Sequence, residues 1–199
     1  MSIKKDTYLP NFPRLLSLAF AFLLLVSFSI ANPVIYKAGS PSQNKKLVFV
    51  ASDHEYRAEE TLPALARILS VHHGFDCTVL FGQNTKGEIE AGASNIPGLE
   101  ALKEADGMIM FTRFLALPPA QMKHIDDYLN RAGPVVGLRT STHGFKYDKV
   151  LQNDPYAKFD FRFAGKDYKG GFGEQILGQS WVGHYGQNHR QSTRIDLVP

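Results

Sequence analysis

The sequence predicts an α/β domain built on a mainly parallel sheet, and three observations predict it. From about residue 46 onward, strand-like and helix-like segments alternate, the order that βαβ units produce. The first strand segment is continuously apolar rather than alternating, as a strand buried on both faces requires. Glycine and proline punctuate the intervening segments where helices should stop or start.

Taken in order, Lys46–Ser52 is the first strand, with Leu47-Val-Phe-Val-Ala51 inside it. Leu62, Leu65, Ile68 and Leu69 then recur at helical spacing, and Gly74 marks the stop. Phe75, Cys77, Val79 and Phe81 alternate along a second strand. Residues 97–105 suggest a short helix and 108–111 a third strand. Pro118-Pro119 opens the clearest helix, lined on one face by Met122, Ile125 and Leu129 and ended by Gly133. Residues 134–138 form the fourth strand, 173–177 a helical turn, and 192–198 one more strand. Right-handed crossovers through these elements give a flavodoxin-like sheet with helices on both faces.

Ahead of this domain, Lys4, Lys5 and Arg14 lead an apolar run over 15–30, and Ser29-Ile30-Ala31 supplies small residues for a signal peptidase. Residues 1–31 therefore read as an export signal. The alternative is an uncleaved anchor, since the run is slightly short of the about 20 residues a membrane span needs. Residues 32–45 read as a flexible lead-in and 46–199 as the domain. Cleavage leaves no membrane span and places the chain in the periplasm or outside the cell. It also reduces the 22 basic and 19 acidic residues to 19 and 18, a near balance. No basic stripe remains for phosphates, which excludes nucleic acid as an expected partner. The single cysteine, Cys77, cannot form an internal disulfide and alternates with core residues, so it reads as packing.

Ligands of open parallel sheets bind beyond the carboxyl ends of the strands. Three polar loops fall there: Ser52-Asp-His-Glu-Tyr-Arg57, Thr112-Arg-Phe114 and Arg139-Thr-Ser-Thr-His143. His143 and His54 are the candidates for proton transfer because imidazole titrates near neutrality. Asp53 and Glu55 would orient a histidine, bind a metal or cap the next helix. Arg113 and Arg139 offer forked donors to a carboxylate or to sugar hydroxyls, with a sheet-edge ion pair as the alternative. In a second concentration, Trp181 and Tyr185 would stack on a sugar ring, as would Tyr56 from the first loop, with His184 and His189 as ligands or bases. All five of Asp53, His54, Arg113, Arg139 and His143 should meet in one pocket. A metal would draw on His54, His143, His184 and His189. No two of these have the tight spacing of a zinc motif, so no metal ligand is assigned and the cofactor stays open.

Three stretches resemble ThuA-like (trehalose-utilisation) domains: Lys46-Leu-Val-Phe-Val-Ala-Ser-Asp-His-Glu-Tyr-Arg57, Pro134-Val-Val-Gly-Leu-Arg-Thr-Ser-Thr-His-Gly-Phe145 and Gly178-Gln-Ser-Trp-Val-Gly-His-Tyr-Gly-Gln-Asn-His189. The resemblance implies a class I glutamine amidotransferase-like, flavodoxin-like three-layer sandwich and a role in using trehalose or other small carbohydrates. It also implies that 46–199 is C-terminally incomplete, because such domains usually continue with further strands and a closing helix. True glutamine amidotransferases carry a Gly-x-Cys-x-Gly elbow after the fourth strand. Here Gly137-Leu138 leads into Arg139, so a glutaminase nucleophile is missing. Thr140, Ser141 and Thr142 offer only hydroxyls, weak nucleophiles without a positioned base, and Thr140 is grouped with the substrate-binding residues. An enzyme and a non-catalytic carbohydrate-binding domain both remain open. No carboxylate pair for glycoside hydrolysis and no Gly-rich phosphate loop is present.

Overall fold

A computed structural model describes residues 33–148, 153–184, 186–187 and 190–192. The export signal expected at 1–31 and nearly all of the strand expected at 192–198 lie outside the described residues. Five strands form one sheet: β1 (Val34–Tyr36), β2 (Lys46–Ser52), β3 (Asp76–Phe81), β4 (Gly107–Thr112) and β5 (Val135–Gly137), in the order β1-β3-β2-β4-β5. β2 pairs in parallel with β3 on one side (Val48 opposite Thr78) and with β4 on the other (Val48 opposite Met108). β4 pairs in parallel with β5, and β1 runs antiparallel to β3. The protein is thus a mixed α/β domain with a mostly parallel sheet.

The apolar run of β2 is explained by its central position, with neighbours on both edges and both faces covered. Helix α1 (Ala58–His73) lies on one face, where Ala58, Leu62 and Ala66 pack on Phe49, Ala51, Val79, Ile109 and Phe111. A 3-10 turn at Leu99–Glu104 and helix α2 (Pro119–Asn130) lie on the other. There Leu99, Leu102, Met122, Ile125 and Tyr128 pack on Val48, Val50, Leu80, Met108 and Met110. From β2 the chain crosses to β3 in one direction, then from β3 to β4 and on to β5 in the other. Crossovers of one hand therefore put their connections on opposite faces.

Several details differ from the pattern in the sequence. Val34–Tyr36, inside the stretch expected to be a flexible lead-in, is an edge strand. The Ser70 hydroxyl donates to the Lys37 carbonyl, and Asp76 accepts from Ala38 N (3.0 Å), so the following residues are tied down as well. Ile68 of α1 was expected inside but is 50% exposed, because the inward stripe runs through Ala58, Leu62, Ala66 and Ser70. Gly74 does stop α1, in the left-handed region (φ 71°), with Phe75 N donating back to Leu69 O. Helix α2 stops at Asn130, short of Gly133: Ala132 takes the left-handed turn (φ 57°). Tyr128 then donates its hydroxyl to Pro134 O (2.7 Å) and closes the end of the helix.

Beyond β5 the described residues make short turns and one α-helix, α3 (Gly171–Leu177). An aromatic cluster anchors this region to the α2 face of the sheet. Phe145 meets Phe172 at 5.2 Å and Phe159 at 6.0 Å, all three fully buried. Asp160 accepts from Tyr147 N (2.6 Å) and Arg162 N (2.7 Å), and Phe161 N donates to Phe145 O (3.1 Å). Phe161 is thereby carried to the carboxyl edge of the sheet. Cys77 is fully buried between the sheet and α1. Among the described residues no helix is long and apolar enough to cross a membrane.

Candidate functional site

The loop after β2 is organised by Asp53, whose side chain is fully buried. Its Oδ1 accepts from Glu55 N (2.7 Å) and Tyr56 N (2.6 Å), turning the chain at once into α1. Its Oδ2 accepts from the Thr140 hydroxyl, so one carboxylate joins the β2 loop to the β5 loop. His54 projects outward over Gly92, where an added Cβ would come 2.8 Å from the ring Nδ1. Its Nε2 lies 2.7 Å from Arg113 Nη1. A guanidinium only donates, so Nε2 accepts and the His54 proton sits on Nδ1.

Arg113 follows β4, and the adjacency of β2 and β4 brings it to the β2 loop. Its Nη2 pairs with Glu55 Oε2 at 3.1 Å, with both side chains mostly covered (16% and 25% exposed). Its guanidinium carbon sits 4.5 Å above the ring of Phe114, a residue in the left-handed region (φ 55°). Arg113 is therefore fixed by a carboxylate, an imidazole and an aromatic face. Its Nε is buried without a partner.

The β5 turn has the build of a nucleophile elbow: a strand, a non-glycine residue in the left-handed region, and a helical turn. Arg139 occupies the apex (φ 45°), and Arg139–His143 forms the 3-10 turn. Gly137 and Ser141, two residues either side, cross closely: a Cβ on Gly137 would lie 3.2 Å from that of Ser141. Ser141 Oγ donates to Met110 O (2.9 Å) and accepts from Thr112 N (3.3 Å), which ties the turn to β4. Arg139 is exposed, with its guanidinium carbon 3.8 Å above the Tyr56 ring.

His143 closes the turn at 6% exposure. Its ring lies 5.1 Å from Phe114 and 5.0 Å from Trp181, and Nδ1 is 3.3 Å from the Thr142 hydroxyl. Burial, followed by the positive charge of Arg113, lowers its pKa to about 4, against smaller upward pulls from Asp53 and Glu55. At neutral pH His143 is a neutral imidazole.

Tyr56, Glu55, Arg113, Arg139, Thr140, His143, Trp181 and His184 line one open cavity of about 250 Å³. Three larger cavities, two beside 161–164 (about 520 and 760 Å³) and one on α1 (about 550 Å³), share none of these residues. The small cavity is the chemically equipped one, since it alone gathers two arginines, a carboxylate, two histidines and the indole. Of the five residues expected to meet in one pocket, three line it and two do not. Arg113, Arg139 and His143 line the cavity itself, while His54 and Asp53 stand behind it through Arg113 and Thr140. Tyr185 and His189 lie outside the described residues.

Of the roles open to Asp53, orienting a histidine is not the one seen: both its oxygens accept from loop donors, two of them backbone N–H groups leading into α1, and neither meets a histidine. Phe161 was not foreseen: it stands 5.5 Å from Phe114 and 5.8 Å from Trp181, beside that indole but outside the cavity lining, and its place depends on the irregular segment after β5. Its only signal in the sequence is the aromatic richness of that segment. Among the described residues no three His, Cys, Asp or Glu side chains are grouped to hold a metal ion. Compared with known proteins, the chain matches no family model, no curated protein and no solved structure.

Proposed function

We propose that this chain is an exported ThuA-like protein of carbohydrate utilisation, and that it takes a small sugar at the carboxyl edge of a flavodoxin-like sheet. The order of the parallel strands supports the fold reading. Counted along the chain they stand second, first, third, fourth, and the cavity opens where that order reverses, between β2 and β4. The observation that carries the sugar reading is the pairing of an aromatic wall with fixed polar groups across a cavity of about 250 Å³. A sugar offers an apolar C–H face to Trp181 and Tyr56. Its rim of hydroxyls suits the donors of Arg113 and Arg139, the acceptor Glu55 and the Thr140 loop. His143, neutral at pH 7, accepts a hydroxyl proton. His54 stands behind the cavity and holds Arg113 in place.

A non-catalytic, purely carbohydrate-binding role is the second reading, and one observation favours it. Asp53 is spent on loop hydrogen bonds and His54 Nε2 on Arg113, so neither forms an acid–base pair with His143. Trp181 is the only tryptophan of the chain, so its fluorescence reports on this cavity alone. Titration with trehalose and a panel of mono- and disaccharides should give a saturable change. No saturable change with any sugar would reject the proposal. If a bound sugar is converted, as followed by NMR, and His143→Gln abolishes conversion but not binding, the catalytic reading holds. Binding without conversion selects the second.

A further inference from the structure

We propose that the site selects a carboxylate-bearing sugar over its neutral counterpart, with Arg139 as the receptor for the carboxylate. The inference rests on the sugar reading above and narrows its substrate class.

The charges around the cavity are the starting point. Of its lining residues Arg113 and Arg139 are cationic and Glu55 is anionic. Glu55 is committed to Arg113 at 3.1 Å, and Arg113 spends a further N–H on His54 at 2.7 Å. Asp53 is fully buried behind the turn, with both oxygens accepting from the protein. Among the described residues Arg139 has no carboxylate or carbonyl partner: its contact is the Tyr56 ring at 3.8 Å. One positive charge therefore faces the cavity without a counter-charge in the described lining.

The geometry around Arg139 suits an anion. Stacking on Tyr56 occupies a flat face of the guanidinium and leaves its N–H edge free for a planar, two-oxygen acceptor. The backbone at Arg139 is in the left-handed region (φ 45°), which a β-carbon disfavours, and it persists because Ser141, Gly137 and the Thr140–Asp53 bond determine the turn. That conformation aims the apex side chain at the cavity. In this position a hydrolase or amidotransferase aims a nucleophile, and here the elbow aims a forked cation. A hydroxyl on the ligand would use only part of that fork. A carboxylate uses both of its donors and neutralises the charge.

Calorimetric titration of the full chain with matched probes tests this: glucose against glucuronate and gluconate, with citrate as a carboxylate that is not a sugar. At low salt the acidic sugars should bind about tenfold more tightly than glucose, one charge-assisted contact's worth, and the advantage should shrink as salt is raised. Arg139→Gln should abolish the advantage, weakening the acidic sugars about tenfold more than it weakens glucose, and Arg139→Lys should restore part of it. Equal affinity for acidic and neutral sugars, or an advantage that survives Arg139→Gln, overturns the inference and leaves the sugar reading standing. Citrate binding as tightly as glucuronate overturns both, since the site would then read charge without the sugar. If Arg139→Gln melts early, Arg139→Lys decides: a larger loss of affinity for the acidic probes than for glucose supports the role, and an equal loss for both refutes it.

Discussion

Asp53 joins two loops of the candidate site, and its removal has a calculable consequence. Replacing Asp53 by Ala strands three donors: Glu55 N and Tyr56 N, which are partly buried, and the buried Thr140 hydroxyl. A donor left unsatisfied costs about 1–3 kcal/mol, with the lower end applying where water can reach it. The two backbone groups at about 1 kcal/mol each and the hydroxyl at 1–2 give a loss of about 3–4 kcal/mol. For a domain of this size that lowers the melting midpoint by about 6–15 °C. Asp53→Asn keeps one carbonyl oxygen for the two backbone donors, and its amide can donate to Thr140 Oγ once the hydroxyl rotates. Asn should therefore cost about 1 kcal/mol. Urea unfolding followed by circular dichroism measures both. An Ala variant that loses less than about 1 kcal/mol, or an Asn variant as damaged as Ala, would refute the assignment of Asp53 as the clasp between the loops.

Three further predictions follow from the packing. His143 titrates near 4 in the folded chain and near 6.5 when unfolded, so between those values the unfolded state holds the extra proton. Its contribution is complete above about pH 6.5 and is lost as pH falls toward 4, by about 3 kcal/mol; urea midpoints at pH 7 and 4.5 should differ accordingly, and His143→Gln should flatten that difference. Burial, aided by the charge of Asp76, pushes the Cys77 thiol up to about 11, so native protein should resist alkylation and react fully only when unfolded. Rapid labelling of the native state would contradict its place in the core. Gly144→Ala would bring a Cβ to 2.6 Å from Thr112 Oγ1 and 3.1 Å from Ser141 O, and should cost about 1–3 kcal/mol in thermal unfolding; an unchanged midpoint would show that the turn gives way there.

The elements most legible in the sequence were those whose pattern the sheet enforces. β2 is apolar throughout because both its faces and both its edges are covered, and Pro118-Pro119 starts α2 because proline suits a first turn. β1 was not legible: three residues are too few to establish a period, and their strand character comes from pairing with β3. The cavity's location followed from the rule for strand carboxyl ends, which needs only the strand positions. Its internal bonds did not follow. The Glu55–Arg113 pair exists because β2 and β4 are neighbours while β3 lies on the far side of β2, an order that local pattern does not encode. Likewise the left-handed backbone at Arg139 is set by close packing of Gly137 against Ser141, and arginine itself gives no hint of it.

The most direct test of the account is amide chemical-shift mapping of the labelled chain during titration with a disaccharide. A sugar seated at the carboxyl edge should move signals of Glu55, Tyr56, Arg113, Phe114, Arg139 to His143 and the Trp181 indole, all with one saturation curve. Saturable shifts confined to the larger cavities beside 161–164, or to α1, would contradict it, as would a sugar that moves no signal at the edge of the sheet.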